Sequence, residues 1–295
     1  MIDRTYLEPT DLEQARSMLA ANEGLRIVAG GTDLVVAARS GKASLPERLI
    51  AIHRLRELAG IHPDPGGGLR IGALTTHGDL EISEVVRDSW SALSDASALV
   101  GSPATRHVGT VGGNVCNASP AMELGSPLLV FDAVVELASA AGVRTVPFSS
   151  FVTGPGRTSA RPGEMLIAVV LPPLQGPGRA GSAYVRLEYR LAMEIAIAGA
   201  AALVRLDEAD RCTDARVALT AVAPTCVRAM DTEEILSGKT IDSDLLKRAA
   251  VGAAASAQPI DDVRASADYR RAMVPVMVQR ALTMALDRAQ RSRAS

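Results

Sequence analysis

Two paired glycines, Gly30-Gly31 and Gly112-Gly113, do most to constrain what this chain can fold into. The first pair follows a short apolar run rich in β-branched residues (25–29) and precedes Asp33-Leu34-Val35-Val36-Ala37-Ala38-Arg39, so the local order is strand, glycine pair, helix. The second lies in Gly109-Thr110-Val111-Gly112-Gly113-Asn114-Val115. A residue without a Cβ lets the backbone turn sharply and come within hydrogen-bonding reach of a ligand. Amides pointing out of such a loop, beside a helix start, make a cradle for a phosphate or pyrophosphate, and a dinucleotide is the natural occupant. Neither loop has the G-x-G-x-x-G fingerprint or the G-x-x-x-x-G-K-[ST] form. One glycine pair alone is what a tight turn would also use. Two pairs, each with a hydroxyl and an amide or carboxylate nearby (Thr32 and Asp33; Thr110 and Asn114), favour ligand loops over turns.

Bulk properties exclude several functions. The 295 residues allow a sizeable core and predict two or three subdomains, of which three fits the pattern below. Net charge is −2 with both signs interspersed, so nothing suggests a grip on nucleic acid or on an anionic membrane. Residues 1–9 carry charges where a secretory signal would be apolar, and the longest apolar run, 195–204, is half the roughly 20 residues a membrane span needs. A protein of the cytoplasm, without a transmembrane segment, is expected. Cys116, Cys212 and Cys226 are odd in number and far apart, which fits a reducing compartment and buried or half-buried free thiols. They cannot supply the four thiolates of an iron–sulfur cluster.

Along the chain, Thr10-Asp11-Leu12-Glu13 has the form of a capping box and predicts a helix closed by Gly24. Strands are predicted at 45–52 and 69–73, with a subdomain boundary near 56, and short helices at 76–100. Residues 101–120 hold four glycines, two prolines, two asparagines and two threonines, too irregular for a long helix. Beyond them come a helix at 128–133, a hairpin of 134–138 with 143–146, and a strand at 165–171. The Pro- and Gly-rich stretch to Gly181 reads as a linker, with a boundary near 176. The last third predicts strands at 184–189, 195–206 and 215–222, then helices at 231–236, 244–257 and 267–288, with Pro275 kinking or breaking the last. Runs of strands followed by runs of helices indicate an α+β organisation.

At AGGTDL (29–34), RIGALTT (70–76), GSPATRHVGTVGGNVCNASP (101–120), PGEML (162–166) and RASADYRRAMVPVMVQRAL (264–282) the chain resembles the medium, FAD-binding subunits of molybdenum hydroxylases, the xanthine dehydrogenase and aerobic carbon monoxide dehydrogenase type. The resemblance implies a two-subdomain FAD-binding fold of the vanillyl-alcohol-oxidase/PCMH type, 1–56 and 57–176, holding an extended FAD, and a C-terminal α+β subdomain, 177–295, of a small antiparallel sheet with helices. It implies that the loops Ala29, Gly30, Gly31, Thr32, Asp33, Leu34 and Thr110, Gly112, Gly113, Asn114 wrap the FAD pyrophosphate through backbone amides. Val100, Glu123, Leu166 and Arg186 are placed at the cofactor by position. A carboxylate would be repelled by the pyrophosphate, so Asp33 and Glu123 suit ribityl or ribose hydroxyls, or for Asp33 the cap of the helix that follows. Three departures stand out: Pro103-Ala104-Thr105-Arg106-His107 where Pro-Gln-Ile-Arg-Asn is common, Glu123 for the usual Asp, and Arg186, four residues before Arg190, for the usual Lys.

The function implied is an oxidoreductase subunit without a catalytic side chain or metal site of its own. It would pass electrons from two [2Fe-2S] clusters of a small partner subunit to an external acceptor, while a large molybdenum-cofactor subunit oxidises substrate, in a heterotrimer that is doubled. Two rivals stay open: a free-standing flavin reductase of the same fold, for which Ser149, Ser150 or Cys116 is a poor proton donor, and a nucleotide-binding scaffold without redox chemistry. Of His53, His62, His77 and His107 none has zinc-site spacing, and His107 stands out for its neighbours. The Arg-rich tail after Arg288 reads as solvated.

Overall fold

The computed structural model describes residues 5–174, 178–190 and 192–292. The expected boundary at 176, inside the linker, and the end of the tail, 293–295, lie outside the described residues. In chain order the elements are β1 (Thr5–Leu7), α1 (Leu12–Ala21), β2 (Arg26–Val28), α2 (Thr32–Arg39), β3 (Arg48–Ala51), β4 (Ile61–Pro63), β5 (Leu69–Gly72), α3 (His77–Ile82), α4 (Glu84–Ser89), α5 (Ser91–Ala98), α6 (Pro103–Arg106), α7 (Val111–Asn117) and α8 (Gly125–Val130). They continue with β6 (Val134–Ser139), β7 (Gly142–Pro147), α9 (Phe148–Phe151), β8 (Val152–Gly154), β9 (Arg157–Thr158), β10 (Met165–Leu171), β11 (Arg179–Leu187), β12 (Ala198–Leu206), β13 (Cys212–Thr220), β14 (Val227–Arg228), α10 (Met230–Leu236), α11 (Ser243–Gly252) and α12 (Ala267–Arg291).

The described residues of 1–79, 103–118 and 133–173 form one compact unit, and those of 80–102, 119–132 and 174–295 another. The first holds a parallel three-stranded sheet, β1-β3-β2, and an antiparallel five-stranded sheet, β4-β5-β10-β6-β7. Helix α1 joins them: Ala15 and Leu19, four apart on one helical face, are buried with Ile50 of the parallel sheet, Ile52 just after it, and Ala138, Met165 and Ile167 from the other. Arg16 Nε also donates to the Ser139 carbonyl at 2.6 Å. The start of α1 corrects the sequence reading by one residue. Asp11 is the N-cap, accepting from Gln14 N at 2.8 Å, while Thr10 N donates back to the Gln14 side chain at 2.6 Å. The reciprocal capping survives, on a frame shifted by one.

The second unit carries an antiparallel four-stranded sheet, β11-β12-β13-β14. Every residue of β12 is buried, because α12 and α8 both pack against it, and a strand covered on both faces reads as a continuous apolar run. β11 starts earlier and α8 sits earlier than predicted, and the helix predicted to 257 ends at Gly252. Pro275 does not break α12, which runs through it to Arg291. Buried Arg270 and Val274 before the proline, and Met277 and Val278 after it, hold both halves on the same core, offsetting the one lost hydrogen bond. Arg288, the last residue of the predicted helix, is anchored: Nη1 and Nη2 meet Asp95 Oδ2 and Oδ1 at 2.6 and 2.9 Å, and Nη1 also reaches the Ser182 carbonyl at 2.6 Å.

Asp95 therefore binds α5 to α12 and, through Tyr184 N at 3.1 Å, to β11. Asp95→Ala leaves the Arg288 guanidinium without its carboxylate and the Tyr184 amide without its acceptor and is expected to cost about 2–3 kcal/mol. Asp95→Asn, which keeps an acceptor, should cost less than half of that. Urea unfolding checks both, as a shift in midpoint at constant slope.

Candidate functional site

The first glycine loop leaves the edge strand β2, whose Val28 carbonyl accepts from Ile52 N at 2.9 Å, and turns at once into α2. The turn is made at Gly31, the helix N-cap, in the left-handed region at φ 69° and ψ 4°. No side chain caps this helix. The first amide with a partner is Val35 N, on the Gly31 carbonyl at 2.9 Å, so the amides of Thr32, Asp33 and Leu34 have none among the described residues. Of the two roles expected of Asp33, the helix cap falls to Gly31 instead. Asp33 is exposed in the first turn, where its charge still suits the positive end of the helix dipole.

The second loop is built differently. Thr110 is the N-cap of α7, and its Oγ1 accepts from Gly113 N at 3.1 Å. Val111 N donates to the Thr75 carbonyl at 2.9 Å, Gly112 N to the Ala73 carbonyl at 2.8 Å, and Asn114 N to the Thr110 carbonyl at 2.9 Å. Thr76 and Thr110 form an isolated antiparallel bridge, and His77 N donates to the Gly109 carbonyl at 3.1 Å. The amides of 111–114 are thus engaged inside the chain, where the resemblance implied amides free for a ligand. What this loop leaves open is a side chain: Asn114 Oδ1 is buried without a hydrogen-bond partner. The RIGALTT segment, whose first part was expected as a strand and forms β5, is the backbone on which the second loop is stitched.

The two loops touch. A Cβ built at Gly30 would overlap the carbonyl oxygen of Val108, and one at Gly109 would lie 3.7 Å from Thr32 Oγ1. Below them is a residue the sequence reading passed over. His77 is 2% exposed, its Nδ1 has no partner, and a Cβ at Gly109 would meet its Cδ2 at 3.3 Å. Burial, and then the nearby charge of Arg106, push its pKa down to about 4. His107, singled out from sequence, is exposed and holds the Pro103 carbonyl through Nδ1 at 2.7 Å. The signal for His77 was its place directly after RIGALTT. Cys116, on α7, is an exposed residue, yet burial of its thiol pushes the pKa up to about 12. Leu166 is buried on β10, where the neighbouring Met165 and Ile167 face the α1 core and alternation turns Leu166 to the other face.

In the second unit Glu123 and Arg186 are brought into direct contact. Glu123 precedes α8, and Arg186 sits on β11, where strand alternation puts Tyr184, Arg186 and Glu188 on one face. The guanidinium lies between two carboxylates: Nη1 donates to Glu123 Oε1, and Nε and Nη2 meet Glu188 Oε2. Their side chains are 1% (Arg186), 9% (Glu123) and 13% (Glu188) exposed. Burial raises Glu123 to about 7, against the pull of Arg186. Burial also opposes the charge of Arg186, but Glu123 and Glu188 outweigh it and keep the guanidinium ionised. Val100 follows α5, half-buried, its amide on the Ser97 carbonyl at 3.2 Å.

An α+β protein with one open helix start suited to an anion and a second, backbone-anchored glycine loop is the class that these units define, and comparison with known proteins gives the family. Residues 2–174 match the family model for the FAD binding domain in molybdopterin dehydrogenase, and 182–285 that for the CO dehydrogenase flavoprotein C-terminal domain. The chain is 32% identical to the xanthine dehydrogenase FAD-binding subunit of Escherichia coli O157:H7, covering 96% of each chain. It is 34% identical to the 6-hydroxypseudooxynicotine dehydrogenase complex subunit alpha of Paenarthrobacter nicotinovorans, covering 98% of this chain and 97% of that one. A solved carbon monoxide dehydrogenase from Hydrogenophaga pseudoflava superposes with a TM-score of 0.90 at 31% identity, over 97% of this chain and 98% of its own. The chain belongs to the FAD-binding medium subunits of the molybdenum hydroxylases.

His77 yields a stability prediction. The folded protein holds it neutral down to about pH 4, while the unfolded chain protonates near 6.5. Between these values the unfolded state binds the extra proton, so the contribution is fully present above 6.5 and is lost as pH falls toward 4, about 3 kcal/mol in all. Urea unfolding of wild type and His77→Phe across that range should show a shallower acid loss in the variant.

Proposed function

We propose that the open start of α2 holds the FAD pyrophosphate and that the second loop shapes its seat without spending amides on it. Three unpartnered amides at the positive end of an eight-residue helix are what an anion needs, and this observation carries the reading. Fit is supported at a second point by the orphaned Asn114 Oδ1, a polar atom otherwise buried at a cost. Ala29, Gly30 and Gly31 then give the close backbone approach, and Thr32 and Asp33 offer side-chain oxygens to cofactor hydroxyls. Gly112 and Gly113 keep the second loop low, while Thr110 caps it. Val100, Leu166, Glu123 and Arg186 are further cofactor contacts by their place in the motif order. The division into 1–56, 57–176 and 177–295 is likewise our reading of how the family's parts map onto this chain.

FAD supplies the redox chemistry when bound, and the protein's part is to bind it, orient it and set its electrostatics. The chain then takes electrons from [2Fe-2S] clusters of a small subunit and gives them to an external acceptor, beside a large molybdenum-cofactor subunit, in a doubled heterotrimer in the cytoplasm. The relatives named as a FAD-binding subunit and as a subunit of a dehydrogenase complex support this assembly. Among the described residues no helix is long and apolar enough to cross a membrane.

An absorption spectrum of the purified protein from about 300 to 600 nm, before and after dithionite, tests the reading. Flavin bands that bleach, with FAD released on denaturation, are expected; a chain that neither carries nor takes up FAD overturns it. Asn114→Ala should weaken FAD binding roughly tenfold without lowering the unfolding midpoint of the FAD-free chain, because Oδ1 has no partner to lose.

A further inference from the structure

We propose that the seat at the start of α2 takes its anion together with a proton from solvent, and that the carboxyl of Asp33 holds that proton. The inference rests on the reading that the FAD pyrophosphate docks there, and it concerns what regulates that site. Asp33 stands in the first turn of α2 between Thr32 and Leu34, and the amides of these three residues are the ones left open. In the FAD-free chain the carboxylate is itself the charge that the positive end of the helix favours. A pyrophosphate docked on the same turn brings two negative charges beside it, and like charges in one site disfavour the ionised form. One proton on Asp33 relieves the repulsion, and the neutral carboxyl still has an oxygen that accepts from a cofactor hydroxyl.

Asp33 is an exposed residue, yet burial raises its carboxyl above the ordinary value, and no neighbouring charge or hydrogen bond among the described residues pulls it back. The charged and titratable groups on the elements that meet this helix start are Arg26 on β2, Arg106 on α6, His107 and His77, with Arg39 at the far end of α2 itself. His107 is exposed and engages the Pro103 carbonyl through Nδ1 at 2.7 Å. His77 is the rival for the proton, because a Cβ at Gly109 would lie 3.3 Å from its Cδ2 and 3.7 Å from Thr32 Oγ1. As an imidazolium, however, it would carry a hydrogen on Nδ1, which is buried without a partner, and it would face the charge of Arg106. A neutral carboxyl in the first turn of α2 meets neither obstacle. The sign follows from linkage: a ligand that raises the carboxyl's pKa binds more tightly as pH falls, because the complex then holds a proton that the FAD-free chain does not. Affinity is therefore highest in mild acid and declines as Asp33 ionises in the complex.

The test is titration of the FAD-free full chain with FAD between about pH 5.5 and about pH 8, for wild type and for Asp33→Asn, which keeps an acceptor oxygen and removes the charge. The wild-type Kd should rise about tenfold across that range, while Asp33→Asn stays near the wild-type value in acid and so binds about tenfold more tightly than wild type at the alkaline end. His77 and His107 are present in both proteins, so the difference between the two profiles reads Asp33. Calorimetry at about pH 6 in two buffers of unlike ionisation heat should show wild type taking up protons on binding FAD, and Asp33→Asn taking up fewer. FAD bound with the same pH dependence by both proteins, or more weakly by Asp33→Asn at the alkaline end, overturns the proton and leaves the FAD seat standing. A chain that binds FAD at no pH in the range overturns the seat and the proton with it.

Discussion

Gly30 lies against the carbonyl of Val108 so closely that no side chain fits between them, and the placing of α2 follows from that contact. Val108 is itself fixed: its amide and that of Gly109 both donate to the Thr105 carbonyl, at 3.1 and 2.7 Å. The residues after it hang by backbone hydrogen bonds on Ala73, Thr75 and His77, which continue directly from β5. β5 pairs with β10 at the centre of the five-stranded sheet. A line of backbone contacts therefore runs from the sheet through the second loop to the first and ends at the open amides of α2. Because each step is main chain to main chain, the position of those amides depends little on side-chain rotamers, as suits a seat for a rigid group.

The second unit relies on guanidinium forks. Arg270, 4% exposed, reaches the Ile197 and Ala221 carbonyls at 2.7 and 3.0 Å and Asp262 at 2.7 Å, tying α12 to the sheet. Arg228 spans Glu233, Asp132 and the Leu129 carbonyl, and Arg288 spans Asp95 and the Ser182 carbonyl. Each of these mixes carboxylate with backbone carbonyl, so its spare donors close off strand or helix ends. Arg186 differs in taking only carboxylates, two of them.

What was legible in the sequence is what depends on local pattern. The strand–glycine–helix order at 26–39, the hairpin of β6 and β7 and the unbroken apolar run of β12 are visible because each is set by the residues themselves. The hydrogen-bond economy of the loops was not. Whether the amides at Gly112 and Gly113 are free depends on carbonyls at 73 and 75, and on one threonine side chain, and no periodicity records that. The same holds for His77, whose burial comes from the loop laid over it. β1 and β4 escaped because three-residue strands carry no period; their partners, β3 and β5, make them strands.

Helix starts give the two loops different tasks. In the first unit α1 is capped by the Asp11 side chain and α7 by Thr110, each worth about 1 kcal/mol to its helix. α2 forgoes this. Its N-cap is a glycine with no side chain to offer, and Thr32 and Asp33, which could have capped it one and two positions earlier, stand just inside the helix. Stability alone would favour a capping side chain at 31, but glycine adopts the left-handed turn there at least cost, and the carbonyl pressed against 30 leaves room for glycine alone. The geometry that brings the loops together is thus the same geometry that strips α2 of its cap, and the amides it leaves open are the ones an anionic ligand can complete.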